Sequence, residues 1–188
     1  MCFARHKLGH PAPWDAASAK RDAALSGRAK HMWDRPHLFF WYNIIMIRII
    51  AGGKKSKDWI KEGQAEYEKR LKKPYDVHFD YYEDAKIAAF ASNWPFKADE
   101  YVILLDERGQ NISSPELASR LENAFNSSKK VVFIIGDAFG VSPEIREKSD
   151  FIWSFSNLVF PHELMRIMLT EQIYRAQEIN RGGKYHHV

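Results

Sequence analysis

The sequence predicts an α/β domain whose sheet is mostly parallel and flanked by helices. Three observations predict it. Short β-branched runs recur after residue 46, each about one strand long. Segments with helical periodicity or weak helical character fill the gaps between them. Several helical stretches open on a Ser or Ser-Pro start signal. Strands that alternate with helices in one chain need crossover connections, the kind a parallel sheet uses.

In chain order, "MIRIIAGG" is a short strand ending in glycines. "SKDWIKEGQAEYEKRLKK" follows as a helix, with Ser56 placed to cap it and Trp59/Ile60, Gly63, Tyr67 and Leu71 on one face. "VHFDYYED" alternates as a strand does, and the weak helix "AKIAAFASNW" ends at Pro95. "YVILLDERG" is a buried strand with polar residues where it stops. "SPELASRLENAF" has Ser114 as its cap and Pro115 at the first helical position. "KVVFIIGDAFG" is the next strand, and Ser142-Pro143-Glu144 opens another helix. "FIWSFSN" is a short strand. The last helix runs from Pro161 to about Asn180, with Leu164, Met168, Gln172/Ile173 and Ala176 on one side.

The first 45 residues read differently. "HPAPW" and "DRPH" break any helix, and "DAASAKRDAALSGRAK" offers a face made mostly of alanine. This segment carries seven Lys/Arg against three Asp, whereas residues 46–188 carry 21 of each sign. The net charge of +4 therefore belongs to the extension, and the basic pI does not argue that the rest binds nucleic acid. Two regions follow: a basic extension, 1–45, and a domain, 46–188. Three readings of the extension compete: upstream sequence with Met46 as the natural start, an organellar targeting segment, and a disordered arm that touches RNA. A single cysteine, Cys2, excludes an internal disulfide and a four-cysteine zinc site. No metal is expected. No apolar run reaches the roughly 18 residues of a membrane helix, so no membrane is expected either.

Ligands of α/β sheets gather beyond the carboxyl ends of strands. Three such ends stand out: Leu105-Asp106, Gly136 to Gly140, and Phe155 to Phe160. The loop Gly136-Asp137-Ala138-Phe139-Gly140 matches no phosphate-binding pattern. Asp137 would repel a phosphate, and Ser142 would already cap the following helix. The alternative to a ligand loop is a tight turn that needs glycine at positive φ. The last helix has no Ser, Thr, Asp or Asn before it, which leaves its first amides in need of an acceptor from a ligand, a loop or water.

Four motifs in order, "LLDERG", "FIIGDAFG", "FPHELMRIMLTEQIYRAQEI" and the terminal "YHHV", resemble the RlmH-like SPOUT methyltransferases, which modify N3 of a pseudouridine in large-subunit ribosomal RNA. The resemblance covers residues 46–188. It implies a SPOUT-type sheet with a C-terminal trefoil knot, S-adenosyl-L-methionine as cofactor, the ribosome as partner, a homodimer, and a cytoplasmic location, or an organelle if the extension is a targeting segment. Carried over by motif, the cofactor contacts are Leu105, Gly136 and the run Phe155, Ser156, Asn157, Leu158, Val159 and Phe160. S-adenosylmethionine holds a sulfonium and no phosphate, so the glycine loop would serve close backbone approach and not a phosphate cradle. The chain departs from the family in having Gly136-Asp137 where two glycines are usual, and Lys184-Tyr185-His186 where Pro-Tyr-His is common. Asp137 motivates an alternative, an RNA-binding assembly factor without methyl transfer. A methyltransferase acting on another RNA is a third reading.

N3 of a pseudouridine carries an imide proton that must leave. His186 is the candidate base, because histidine titrates near neutral pH, and Tyr185 would stack on or hydrogen-bond the nucleobase. The alternative is an ordinary polar tail. For RNA phosphates the candidates are Lys54 and Lys55, in a stretch with eight basic residues from Lys54 to Lys73, and Arg166 and Arg175 on the last helix. A solvated helix face, or interface ion pairs for the two arginines, are the competing readings.

Overall fold

The computed structural model describes residues 46–53, 57–136 and 140–186. Ser56, Lys54, Lys55 and Asp137 lie outside the described residues, as does the whole basic extension before residue 46. The domain contains β1 (Ile47–Gly52), α1 (Asp58–Glu68), β2 (Val77–Tyr82), α2 (Asp84–Ala88) with a 3-10 turn (Ala89–Ala91), β3 (Glu100–Asn111), α3 (Ser114–Asn126), β4 (Lys130–Ile135), α4 (Pro143–Lys148), β5 (Phe151–Ser154) and α5 (His162–Asn180). The five strands form one sheet in the order β2-β1-β4-β3-β5, and every pairing is parallel.

Alternation along the strands divides the core in two, because successive side chains point to opposite faces. Val131, Phe133 and Ile135 of β4 face Leu117 and Leu121 of α3 and Leu169 and Ile173 of α5. Val132 and Ile134 face Ile87, Phe90 and Ile145, which come from α2, the 3-10 turn and α4. The central strands are apolar on both faces for that reason. On the first face α1 lies against α5 closely: a Cβ on Gly63 would stand 2.9 Å from Ile167 Cδ1.

Several local expectations change. α1 starts at Asp58, with Lys57 as its N-cap and no side-chain cap bond. Of the pair Trp59/Ile60, only Ile60 is buried, and Trp59 is 54% exposed. The cap of α3 is Ser113 and not Ser114: Ser113 and Glu116 form a reciprocal capping box, which a Ser-Ser-Pro-Glu sequence permits one residue earlier than expected. Ser142 is the N-cap of α4, but its side chain accepts no amide there.

The buried face of α5 is rotated from the one expected. It consists of Arg166, Leu169, Thr170, Ile173, Ala176 and Gln177, whereas Leu164, Met168 and Gln172 are only half-buried. Two long polar residues are inside because they bond across the fold. Gln177 accepts from Lys72 N at 2.6 Å and donates to Arg70 O at 3.2 Å. Arg166, fully buried, donates to Gly52 O at 2.6 Å, and its guanidinium lies 5.1 Å from the Tyr81 ring centroid. A hydropathy pattern scores both as surface residues.

Candidate functional site

The strand order makes β4, β3 and β5 neighbours, so the ends of all three meet. A cleft of about 480 Å³ lies there, within the usual range for small-molecule sites. It collects segments far apart in the chain.

The first wall is β3. Strand pairing to β5 breaks between Leu105 and Gln110, both of which oppose Trp153, so Asp106–Gly109 bulge out. The strand does not stop at Gly109 as expected but resumes to Asn111. Gly109 allows this because a Cβ there would lie 2.7 Å from the backbone of Ile152. Asp106 organises the bulge: Oδ1 accepts Arg108 N at 3.0 Å, and Oδ2 accepts Arg146 Nε at 2.7 Å.

The second wall is the end of β4. The space a side chain on Gly136 would need is filled by the return of the loop itself, at 3.1 Å from Gly140 C and Val141 Cγ1. Gly140 adopts φ +80°, which favours glycine. Gly140 thus fits the tight-turn reading, and both glycines lie on the cleft lining.

The third wall follows β5. Ser154 Oγ donates to Ser156 O at 2.7 Å, and Leu158 N donates to Ser156 Oγ at 3.1 Å. This local turn leaves Leu158 69% and Val159 79% exposed at the rim. Trp153 stacks on Phe155 with centroids 4.3 Å apart. The cleft is closed at one side by His162 and Met165. As expected, α5 begins after Pro161 with no side-chain cap.

Of the expected cofactor residues, Leu105, Gly136, Phe155 and Ser156 line this cleft together with Leu158, Val159 and Phe160. Asn157 is exposed and is not part of the lining. The residues present fit S-adenosylmethionine. Leu105, Ile135 and Phe155 offer apolar surface for adenine, and Glu107 brings a carboxylate to the same cleft. The indole N–H of Trp153 is buried and has no hydrogen-bond partner among the described residues. Arg146 and the bulge were not read from the sequence. Asp106 was visible as the polar end of a strand, but nothing marks its partner forty positions later.

The tail lies elsewhere in the single chain. Tyr185 donates its hydroxyl to Glu171 Oε1 at 3.2 Å and stands edge-on to Tyr174 at 4.7 Å. Burial, and then the Glu171 carboxylate, push its phenol up to about 12. Neither Tyr185 nor His186 lines the cleft, and His186 Nδ1 is buried without a hydrogen-bond partner among the described residues. Arg175 pairs with Glu171 at 2.5 Å and lies 4.8 Å from the Tyr185 ring centroid. The expectation that Arg166 meets RNA is corrected: it is fully buried and holds the end of β1. Among the described residues there is no cluster of His, Cys, Asp and Glu suited to a metal, and no helix is long and apolar enough to cross a membrane.

Comparison with known proteins agrees with the motifs. The profile of the family described as "Predicted SPOUT methyltransferase" matches residues 45–186. A protein of Desulfitobacterium hafniense (strain Y51), named "Ribosomal RNA large subunit methyltransferase H", is 36% identical over 159 residues, covering 76% of this chain and 99% of that one. Its namesake in Prochlorococcus marinus (strain MIT 9303) is 40% identical over 144 residues, covering 74% and 91%. Another, in Gloeobacter violaceus, is 35% identical over 150 residues, covering 75% and 98%. With a family profile spanning three quarters of its length and relatives of this similarity, the chain belongs to the SPOUT methyltransferase family.

Proposed function

We propose that this protein methylates N3 of a pseudouridine in large-subunit ribosomal RNA, with S-adenosylmethionine as donor. The observation that carries the proposal is the convergence of Leu105, Gly136 and the loop after Phe155 on one cleft, in a chain whose relatives are named as ribosomal RNA large-subunit methyltransferases. When bound, the donor supplies a methyl group on a sulfonium. The chain's own residues have three tasks. Leu105, Gly136, Phe155, Ser156, Leu158, Val159 and Phe160 hold the donor. The apolar rim excludes water. His186 takes the imide proton from N3, with Tyr185 against the nucleobase. Positioning accounts for much of the expected rate.

In this reading the domain is the unit of function, its C-terminal part forms a trefoil knot, and the protein is a homodimer. Two features support the dimer. Leu158 and Val159 are large, apolar and exposed, and the row Leu164 and Met168 on α5 is left half-covered. The tail folds against its own α5, away from the cleft of the same chain, so a tail that acts in catalysis would meet the site at a subunit boundary. Lys54, Lys55 and Arg175 are the basic residues assigned to RNA. The protein would work where ribosomes are, in the cytoplasm.

The test is transfer of labelled methyl to ribosomes lacking this modification, beside calorimetry with S-adenosylmethionine and light scattering. The expected result is one methyl per ribosome, on N3 of a pseudouridine, by a protein of dimeric mass. Cofactor heat without transfer would favour another RNA. No cofactor heat would favour an assembly factor and overturn the proposal.

A further inference from the structure

The pair Asp106–Arg146 belongs to no expected contact, yet it lies on the cleft lining and joins two of its walls. Asp106 follows Leu105, the last paired residue before the β3 bulge, and its carboxylate is 5% exposed. Arg146 is 19% exposed and comes from α4, beyond the glycine loop. The two side chains meet at 2.7 Å, and both line the cleft.

Each group has a second attachment. The other oxygen of Asp106 holds the amide of Arg108, so the carboxylate sets the turn of the bulge. Arg146 Nη2 lies 3.8 Å from where a side chain on Gly140 would begin, so the guanidinium lies beside the end of the glycine loop. The third wall is tied to the same strand by a different bond, Asn111 Nδ2 to Ser154 O at 2.9 Å. The ladder pairs β3 with β4 up to Leu105 and Ile135, and beyond it this ion pair joins the bulge to the residues that follow the glycine loop. Stability alone is a weak reason for a buried ion pair, because desolvation offsets most of the attraction. A pair that sets the width of a binding cleft has a different reason to be there.

We propose that Asp106 and Arg146 are positioning residues, a clamp that fixes the width of the cofactor cleft between the β3 bulge and the glycine loop. The inference rests on the reading of that cleft as the S-adenosylmethionine site. Arg146 acts through Asp106 and Gly140 and not by touching the donor.

Arg146→Met, Arg146→Lys and Asp106→Ala are compared with wild type by two measurements. The first needs no cofactor: amide hydrogen exchange at Arg108, Gly140 and Val141. Exchange there is expected to speed up at least about tenfold in Arg146→Met and Asp106→Ala, with core strand amides unchanged, and to recover in part in Arg146→Lys. The second is calorimetric affinity for S-adenosylmethionine, expected to weaken by at least about tenfold, since a site loses affinity when binding must order walls that were preorganised. Wild-type affinity in Arg146→Met overturns the clamp. So does weakened affinity with unaltered exchange, because it would make Arg146 a direct ligand contact. A fall in exchange protection spread evenly over the fold also overturns it, as a purely structural pair would behave so. If wild type itself binds no S-adenosylmethionine, the functional reading fails while the exchange measurement still judges the clamp.

Discussion

The two ends of α5 carry the same kinds of residue to different effect. The N-terminal end starts at a proline, has no side-chain cap, and contributes His162 and Met165 to the cleft. Its arginine, Arg166, is buried and bonded to the end of β1. The C-terminal half lies away from the cleft: Glu171 is roughly 9 Å and Arg175 roughly 15 Å along the axis from Met165. There Arg175, Glu171 and Tyr185 bind one another at a partly buried position. One helix thus carries a buried arginine near the end that builds the site and a partly exposed one near the end that holds the tail. Burial, and not residue type, decides what an arginine does.

The largest contrast expected is between the two arginines. Arg166→Met keeps most of the packed volume but leaves the Gly52 carbonyl without its charged donor, and should lower unfolding free energy by about 2 kcal/mol. Arg175→Met, which breaks a pair near the surface, should cost under about 1 kcal/mol. Denaturant unfolding of the two variants measures both, and equal losses would erase the distinction between the ends.

A smaller effect concerns the tail. Tyr185→Phe removes the hydroxyl bond to Glu171 and should cost at most about 1 kcal/mol near neutral pH. The sign with pH follows from the raised phenol. Its value is 10.0 when free and about 12 in the fold, so the folded state favours the protonated form. The stability this contributes is complete below pH 10 and is lost as pH rises through about 12. The gap between wild type and Tyr185→Phe should therefore hold steady below pH 10 and close above it. A gap that widens with pH would mean the phenol is not held by Glu171.

The smallest effect tests the cleft end. Asn157 lies within the motif run but outside the lining. Asn157→Ala should leave S-adenosylmethionine affinity within about twofold in calorimetry, below the roughly 1 kcal/mol of a lost hydrogen bond. A tenfold loss would show that the loop closes over the ligand further than its present position.

Much of the architecture was legible because local chemistry carries it. The run Val131–Ile135 is apolar on both faces, Pro115 and Pro143 mark helix starts, and Pro161 follows a loop with no cap. The errors share one cause. Ser113 or Ser114 can each cap α3, and only the reciprocal bond to Glu116 selects Ser113. Trp59 and Ile60 are both apolar, and only the packed fold shows that Ile60 is covered and Trp59 is not. Periodicity could not rotate α5 correctly because Arg166 and Gln177 look like surface residues until Gly52, Lys72 and Arg70 supply their partners.

By itself, the sequence determined the alternation of strands and helices, the parallel sheet, the neutrality of residues 46–188 and the motifs that mark the family. Those are properties of composition and near neighbours, which each segment carries wherever it lies. The tertiary structure alone decided that β4, β3 and β5 stand side by side, that β3 bulges over Trp153, that Asp106 meets Arg146, and that Tyr185 rests on Glu171. The physical reason is range. Hydrophobic pattern and capping act over a few residues, whereas a buried polar group is stable only once a distant part of the chain supplies its partner.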